Sequence, residues 1–334
     1  MAIPQWVHER LVLPAIAAPM TLVSGPALVA EACKAGIVGA LQPNNAGSFE
    51  GFSAWMRQIA EAVSRHVDVH PHEPIAPLAI NLRTSKSASE LNSDLALSAR
   101  YGVSIFISAM GNPTELAKKV HDQGAILFHD VTNIRHAEKA IRAGVDGLTC
   151  IGAGGGGHSG TLSPLVLIPK IRSIFSGVIV MAGAVTTGAA IRAAEILGAD
   201  LSYLGTRFIA TQEALGPPEY KNWLVSETSD QLVYTNRITG VPANWIRESL
   251  RRKSLDPDNL PLPTLPQNGY GHLPPAARPW KTIFSAGQGI DLIDDIPTVS
   301  VLVKRLRQEY VAACNVRDMQ EAARLVDRVS DARA

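Results

Sequence analysis

The sequence has few of the features that mark secreted miniproteins, nucleic-acid binders or membrane proteins. Its three cysteines, Cys33, Cys150 and Cys314, are odd in number and far apart, which fits neither a disulfide framework nor a zinc site. A formal net charge of +1 lacks the basic excess of a nucleic-acid binder. The apolar run at residues 11–20 contains two prolines and is shorter than the ~20 residues needed to cross a bilayer. The amino terminus also lacks the layout of a signal peptide. We therefore predict a cytoplasmic chain with reduced cysteines and no metal, nucleic-acid or membrane partner.

What the sequence does contain is a regular alternation of short apolar runs with longer amphipathic stretches. Parallel strands need crossover connections, and strands covered on both faces appear as continuous apolar runs. Eight such runs predict an α/β fold, a (β/α)8 TIM barrel; an open doubly wound sheet is the alternative. Small-residue turns such as Ala143-Gly144 suit the ends of the intervening helices. The predicted strands are Ala15–Ala18, Ile37–Leu41, Pro77–Asn81, Ser104–Ser108, Ala125–Asp130, Gly147–Cys150, Val178–Ala182 and Leu201–Gly205.

A proline-rich stretch interrupts this alternation after the eighth strand. It predicts a helical cap over residues 214–282, inserted above the barrel mouth. The barrel itself is then built from residues 1–213 and 283–334. Two closing helices are predicted within the second part, Thr298–Cys314 and Val316–Val329. Apolar residues recur on the first of them, which leaves a monomer or a homodimer open.

The loops that follow strands seven and eight are candidates for a phosphate site, because barrel enzymes place their active sites at the carboxyl ends of the strands. Gly183 lets the backbone approach a ligand closely, and the amides that follow can point at an oxyanion, helped by a helix dipole. Gly205 and the hydroxyl of Thr206 complete this candidate cradle. The alternative is that both glycines only form tight turns.

A glycine run before His158 is the sharper signal. Five glycines in the six residues 152–157 cost much chain entropy, so such a loop is typical of backbone laid against a ligand. A histidine beside it can move a proton near neutral pH. In the fifth strand, His129 and Asp130 alternate, so only one of them faces the barrel interior or its mouth. Cys150 ends strand six and is interpreted as a packing residue rather than a nucleophile.

Motifs spread from Pro14 to about Arg307 carry a family resemblance. They are Ala18-Pro19-Met20, Ile80-Asn81-Leu82, Val145-Asp146-Gly147, Gly156-Gly157-His158-Ser159-Gly160, Ala182-Gly183-Ala184, Leu197-Gly198-Ala199-Asp200, the residues from Leu204 to Glu213 and those from Ile283 to Gly289. Together they resemble the nitronate monooxygenases, formerly called 2-nitropropane dioxygenases. This group of FMN-dependent barrels also includes NADH:quinone reductases and flavin-dependent enoyl-acyl-carrier-protein reductases.

The resemblance implies an FMN-dependent oxidoreductase that converts alkyl nitronates, and nitroalkanes as a second class, with O₂ to a carbonyl compound and nitrite. His158 matches the family's active-site histidine, which binds the nitronate or removes the α-proton of a nitroalkane. Asp130 stands where the related reductases carry a lysine near the flavin, and residues 151–154 lack the Gln and Glu of nitronate enzymes. An NAD(P)H-dependent reductase of quinones or enoyl thioesters, and an FMN-binding module without turnover, remain as alternatives. The implied cofactor contacts are Ala18, Met20, Asn81, Asp130, Gly156, Gly183, Ala184, Gly205 and Thr206.

Overall fold

Eight parallel strands close into a barrel in the computed structural model, which describes residues 2–263 and 270–315. The strands pair in chain order, and β1 also pairs with β8, so the sheet has no free edge. This confirms the predicted (β/α)8 barrel and excludes the open sheet. The strands are β1 (Ala15–Ala17), β2 (Val38–Leu41), β3 (Leu78–Arg83), β4 (Ile105–Ala109), β5 (Ile126–Val131), β6 (Gly147–Ile151), β7 (Val178–Ala182) and β8 (Leu201–Leu204).

Alternate residues of each strand face the barrel interior. In β5, Phe128 belongs to the interior cluster with Ile105, Ile107 and Val180, whereas Leu127 packs outward against the helices. Since side chains of a strand alternate between faces, Asp130 shares the interior face with Phe128. The register therefore decides which polar side chains reach the barrel mouth.

Helices cover the outside of the barrel, and glycines end several of them. Gly36, Gly144 and Gly198 have φ values of 83°, 82° and 104°, the left-handed conformation that the αβ turns require. The helices up to the eighth strand are α1 (Gln5–His8), α2 (Pro26–Lys34), α3 (Phe49–Val69), α4 (Ala88–Arg100), α5 (Thr114–His121), α6 (Ile134–Arg142), α7 (Pro164–Arg172) and α8 (Gly188–Ile196).

The inserted segment contains strands as well as the helices that the sequence predicts. A two-stranded antiparallel sheet follows one helix and precedes another along the chain. The prolines interrupt helices, while the β-branched and aromatic residues at 232–235 favour a strand. The elements that follow β8 are α9 (Thr206–Ile209), α10 (Pro218–Ser226), β9 (Leu232–Thr235), β10 (Ala243–Ile246), α11 (Arg247–Arg251) and α12 (Val299–Cys314).

The inserted segment has a hydrophobic core of its own. Trp245 is completely buried there, together with Ile238, Leu250 and Ile283. The first closing helix is present as α12, and the second, Val316–Val329, lies outside the described residues. No helix within residues 2–263 and 270–315 is long and apolar enough to cross a membrane.

Candidate functional site

The loops at the carboxyl ends of the strands converge at the barrel mouth. The amide of Ala18 donates to the carbonyl of Leu204 at 3.0 Å, which joins the loops after β1 and β8. A Cβ placed on Gly205 would lie 3.7 Å from Met20 Sδ and 3.9 Å from the Cβ of Ala18. Three of the predicted cofactor residues therefore border one space, and the absent side chain of Gly205 keeps it open.

The loop after β7 has the geometry of an anion cradle. Gly183 and Ala184 have φ values of 109° and 57°, a left-handed pair that turns successive amides toward one side. Neither amide donates to another residue within the described ranges, and the same holds for the amide of Thr206. A phosphate oxygen would satisfy such donors, so this loop fits the phosphate of a mononucleotide.

One donor at the amino terminus of helix α8 is already occupied. The amide of Gly188, the first residue of α8, donates to the carboxylate of Glu309 at 2.7 Å. The last helix packs tightly here, because a Cβ on Gly188 would come within 2.0 Å of the carbonyl oxygen of Leu306. The carboxylate of Glu309 thus occupies this first donor of the helix, while the amides of the loop itself stay free.

A late segment of the chain completes the cradle. The amide of Gly287 donates to Thr206 Oγ1 at 2.9 Å, and the amide of Gln288 donates to the carbonyl of Gly154 at 2.9 Å. A Cβ on Gly156 would lie 2.8 Å from the amide nitrogen of Gly287 and 3.1 Å from Thr206 Oγ1. Gly156 is therefore required for this close approach of two loops. Residues 283–289 are part of the resemblance, which implies no cofactor contact for them.

His158 lies on the glycine loop, against the inserted segment. Its Nε2 is 3.0 Å from Thr239 Oγ1, and its ring meets that of Trp280 edge to face at 5.1 Å between centroids. Burial lowers the pKa of His158, so the neutral imidazole predominates near neutral pH. No hydrogen bond joins His158 to Asn81 or to Met20 within the described residues. Sequence reasoning misses Thr239 and Trp280, because no motif marks them.

Three unpaired polar side chains line the interior face near the mouth. Asn81 on β3 follows the inward-facing Ala79, and its amide makes no hydrogen bond to another described residue. Asp130 on β5 is level with Thr149 on β6. The buried atoms Asp130 Oδ1 and Thr149 Oγ1 have no hydrogen-bond partner among the described residues. Such unmet polar groups are what a bound polar ligand would satisfy.

Burial makes the carboxyl of Asp130 a weaker acid than usual. It raises the pKa of this carboxyl to about 7, so the protonated form is abundant at neutral pH. The neighbouring His129 faces outward, where its Nδ1 lies 2.8 Å from the hydroxyl of Ser108. Burial lowers the pKa of His129 to about 4, which keeps it neutral. The alternation in β5 is thereby resolved in favour of Asp130 as the inward residue.

Cys150 is completely buried beside this loop. Burial raises the pKa of its thiol, so the thiolate that a nucleophile requires is disfavoured. This supports the interpretation of Cys150 as a packing residue.

The fold and the glycine-rich loops define an α/β barrel whose candidate site lies at the carboxyl ends of the strands. The family model of the nitronate monooxygenases matches residues 6–309. The chain therefore belongs to the nitronate monooxygenase family and is an oxidoreductase.

The relatives of this chain include monooxygenases and a dehydrogenase. Two proteins of Mycobacterium tuberculosis, a proposed monooxygenase and (3aS,4S,5R,7aS)-5-hydroxy-7a-methyl-1-oxo-octahydro-1H-indene-4-carboxyl-CoA dehydrogenase, are 30% and 26% identical over 63% and 72% of this chain. The matches span 60% and 64% of those proteins, less than two thirds of their length. A nitronate monooxygenase of Paraburkholderia phytofirmans is 28% identical over 89% of this chain and 92% of its own.

The solved structure of nitroalkane oxidase from Streptomyces ansochromogenes is also similar. It superposes with a TM-score of 0.75 at 21% identity, over 92% of this chain and 99% of that one. At this identity the likeness shows a shared fold.

Proposed function

We propose that this protein oxidises alkyl nitronates with O₂ to a carbonyl compound and nitrite, using FMN. The observation that carries the proposal is the half-buried, neutral imidazole of His158 on the glycine loop, in a chain of the nitronate monooxygenase family. Such an imidazole can remove the α-proton of a nitroalkane or hydrogen-bond the nitro group of a nitronate. Nitroalkanes are then a second substrate class.

FMN would be held by the loops around the mouth. The free amides of Gly183 and Ala184, together with Gly205 and Thr206, suit one phosphate, which favours FMN over a dinucleotide. Ala18, Met20, Asn81, Asp130 and Gly156 complete the proposed contacts. When bound, FMN supplies the redox chemistry that the side chains cannot provide. The residues of the chain position the substrate, move its proton and exclude water.

The inserted segment covers one side of the proposed pocket. Asn244 Nδ2 donates to the carbonyl of Gly155 at 2.8 Å, and the hydroxyl of Tyr234 donates to the carbonyl of Ser159 at 2.8 Å. Both hydrogen bonds hold the glycine loop against the inserted segment. We therefore propose that residues 214–282 act as the cap of the barrel formed by residues 1–213 and 283–334.

A reductase that takes electrons from NAD(P)H is the second candidate. It is favoured by the 26% identity to a carboxyl-CoA dehydrogenase over 72% of this chain. Its substrate would be a quinone or an enoyl thioester. A protein that binds FMN without catalysing either reaction is the third candidate.

Anaerobic reduction of the flavin distinguishes these functions. We expect the purified protein to be yellow, to release FMN on denaturation, and to bleach on addition of a nitronate without O₂. Bleaching by NADH or NADPH but not by a nitronate would support the reductase instead. Bound FMN that neither donor reduces would indicate a binding module, and a colourless protein that cannot be reconstituted would overturn the proposal.

Gly205→Ala is expected to weaken FMN binding without unfolding the barrel. Gly205 has a φ of −98° that alanine tolerates, and the new methyl would enter the space beside Met20 and Ala18 without a clash. Since overpacking a site costs about 1–3 kcal/mol, the Kd for FMN should rise about tenfold. Fluorescence titration of the cofactor-free protein measures this Kd. Gly216→Ala, where a methyl makes only ordinary contacts with Tyr220, Ile209 and Val23, is the matched control.

A further inference from the structure

The hydrogen bonds around Thr239 identify which nitrogen of His158 carries the proton. Thr239 Oγ1 donates its single hydroxyl proton to the carbonyl of Val241 at 3.0 Å. The same oxygen accepts from the amide of Val241 at 3.4 Å and lies 3.0 Å from His158 Nε2. With its proton directed to the carbonyl of Val241, the hydroxyl accepts from the ring, and this arrangement favours a neutral imidazole with its hydrogen on Nε2.

The other nitrogen of the ring is left with its lone pair. Nδ1 of His158 has no hydrogen-bond partner among the described residues, whereas Nε2 is tied to the inserted segment. The edge-to-face contact with Trp280, at an interplanar angle of 80°, restricts rotation of the imidazole about its side-chain bonds. Trp280 is itself held, since its indole N–H donates to Ser285 Oγ at 3.0 Å.

Backbone contacts hold the segment that carries Thr239 against the loop that carries His158. The amide of Ser159 donates to the carbonyl of Pro242 at 3.2 Å, and His158 pairs with Ala243 as an antiparallel bridge. Thr239, at the turn between β9 and β10, is thus fixed to the glycine loop through residues 242 and 243. The orientation of His158 depends on a segment 81 residues away in the sequence.

We propose that Thr239 is a positioning residue that selects the Nε2–H tautomer of His158, so that Nδ1 is the atom that acts on the substrate. This inference rests on the proposed function. With a nitroalkane, the lone pair of Nδ1 takes the proton from the α-carbon, and the electron pair of the broken C–H bond remains on the nitronate. After this transfer both ring nitrogens carry a proton, and Thr239 still accepts from Nε2. The hydroxyl therefore stabilises the protonated ring as well as the neutral one.

The tautomer can be read directly in the purified holoenzyme by ¹⁵N NMR of labelled histidine, assigned with His158→Gln. We expect the neutral ring of His158 to show a protonated Nε2 and an unprotonated Nδ1. A protonated Nδ1 would overturn the proposal, whatever the reaction of the enzyme. This measurement does not depend on turnover, so its failure and the failure of the proposed function are distinguishable.

Substitutions test the consequence for the reaction. Thr239→Val keeps the shape but removes the acceptor, and losing one such hydrogen bond should lower kcat for a nitroalkane about tenfold while KM changes little. Thr239→Ser keeps the acceptor and should remain within about twofold of the wild type. Thr235→Val is the matched control, because the one hydrogen bond of Thr235 Oγ1 to a described residue comes from the amide of Arg237 on the same segment. An equal loss for the serine and valine variants, or no loss for valine, would refute the role.

Discussion

His158→Ala should lower the rate of nitroalkane oxidation by ~10²–10⁴, the range that general acid–base groups contribute, while FMN stays bound. The glycine loop would contact the flavin through its backbone, which the substitution leaves in place. Only the imidazole, held by Thr239 and Trp280, is lost. Stopped-flow reduction of the flavin, with the flavin content measured by absorbance, separates the two effects. His136→Ala, an exposed histidine on α6, is the control and should leave the rate unchanged.

The choice of substrate then identifies the role of the imidazole. A histidine that only removes the α-proton is dispensable for a pre-formed nitronate, so the defect should largely vanish with that substrate. A histidine that also binds the nitro group is needed for both substrates, and the apparent affinity should fall as well. Loss of FMN from the variant, with normal rates once FMN is restored, would make His158 a structural residue of the loop.

The barrel could be predicted from the sequence because the same local signal repeats. Strands buried on both faces produce continuous apolar runs, and the glycines at positions 36, 144 and 198 end helices in the left-handed conformation. Each strand and each helix end is predicted from residues close together in the sequence. Closing the eight units into a barrel then requires one further contact, the pairing of β1 with β8. The glycine run before His158 is equally visible, since its composition alone costs so much entropy.

The partners of His158 could not be predicted, because they depend on contacts between distant segments. Thr239 is an ordinary threonine in a turn, and only the packing of β10 against the glycine loop brings it to the imidazole. The proline-rich composition of the insertion indicated an interruption but not the hairpin that follows it. For Asp130 the alternation of β5 left two orientations, and the register of the closed barrel decides between them.

Asp130→Asn should stabilise the flavin-free protein at alkaline pH, by up to about 4 kcal/mol. Burial raises the pKa of the carboxyl from 3.8 to about 7, so the folded chain binds its proton more tightly than the unfolded chain does. Each unit of this shift is worth about 1.4 kcal/mol. Part of the side chain borders the open mouth while Oδ1 is inaccessible, so solvent screening makes this figure an upper bound.

The pH dependence gives the sign of this effect. Between pH ~4 and ~7 the native state holds the proton that the unfolded state has released, so the free energy of unfolding of the wild type falls as pH rises through this window. Asparagine does not titrate, and the difference between the two proteins should therefore be small below pH ~4 and constant above pH ~7. Urea unfolding across this range measures it, with Asp122→Asn, an exposed carboxylate on the outer surface, as the control. A variant that gains no stability above pH 7, or that loses it, would mean that Asp130 is ionised in the folded barrel, paired with a cation or ordered water in the mouth.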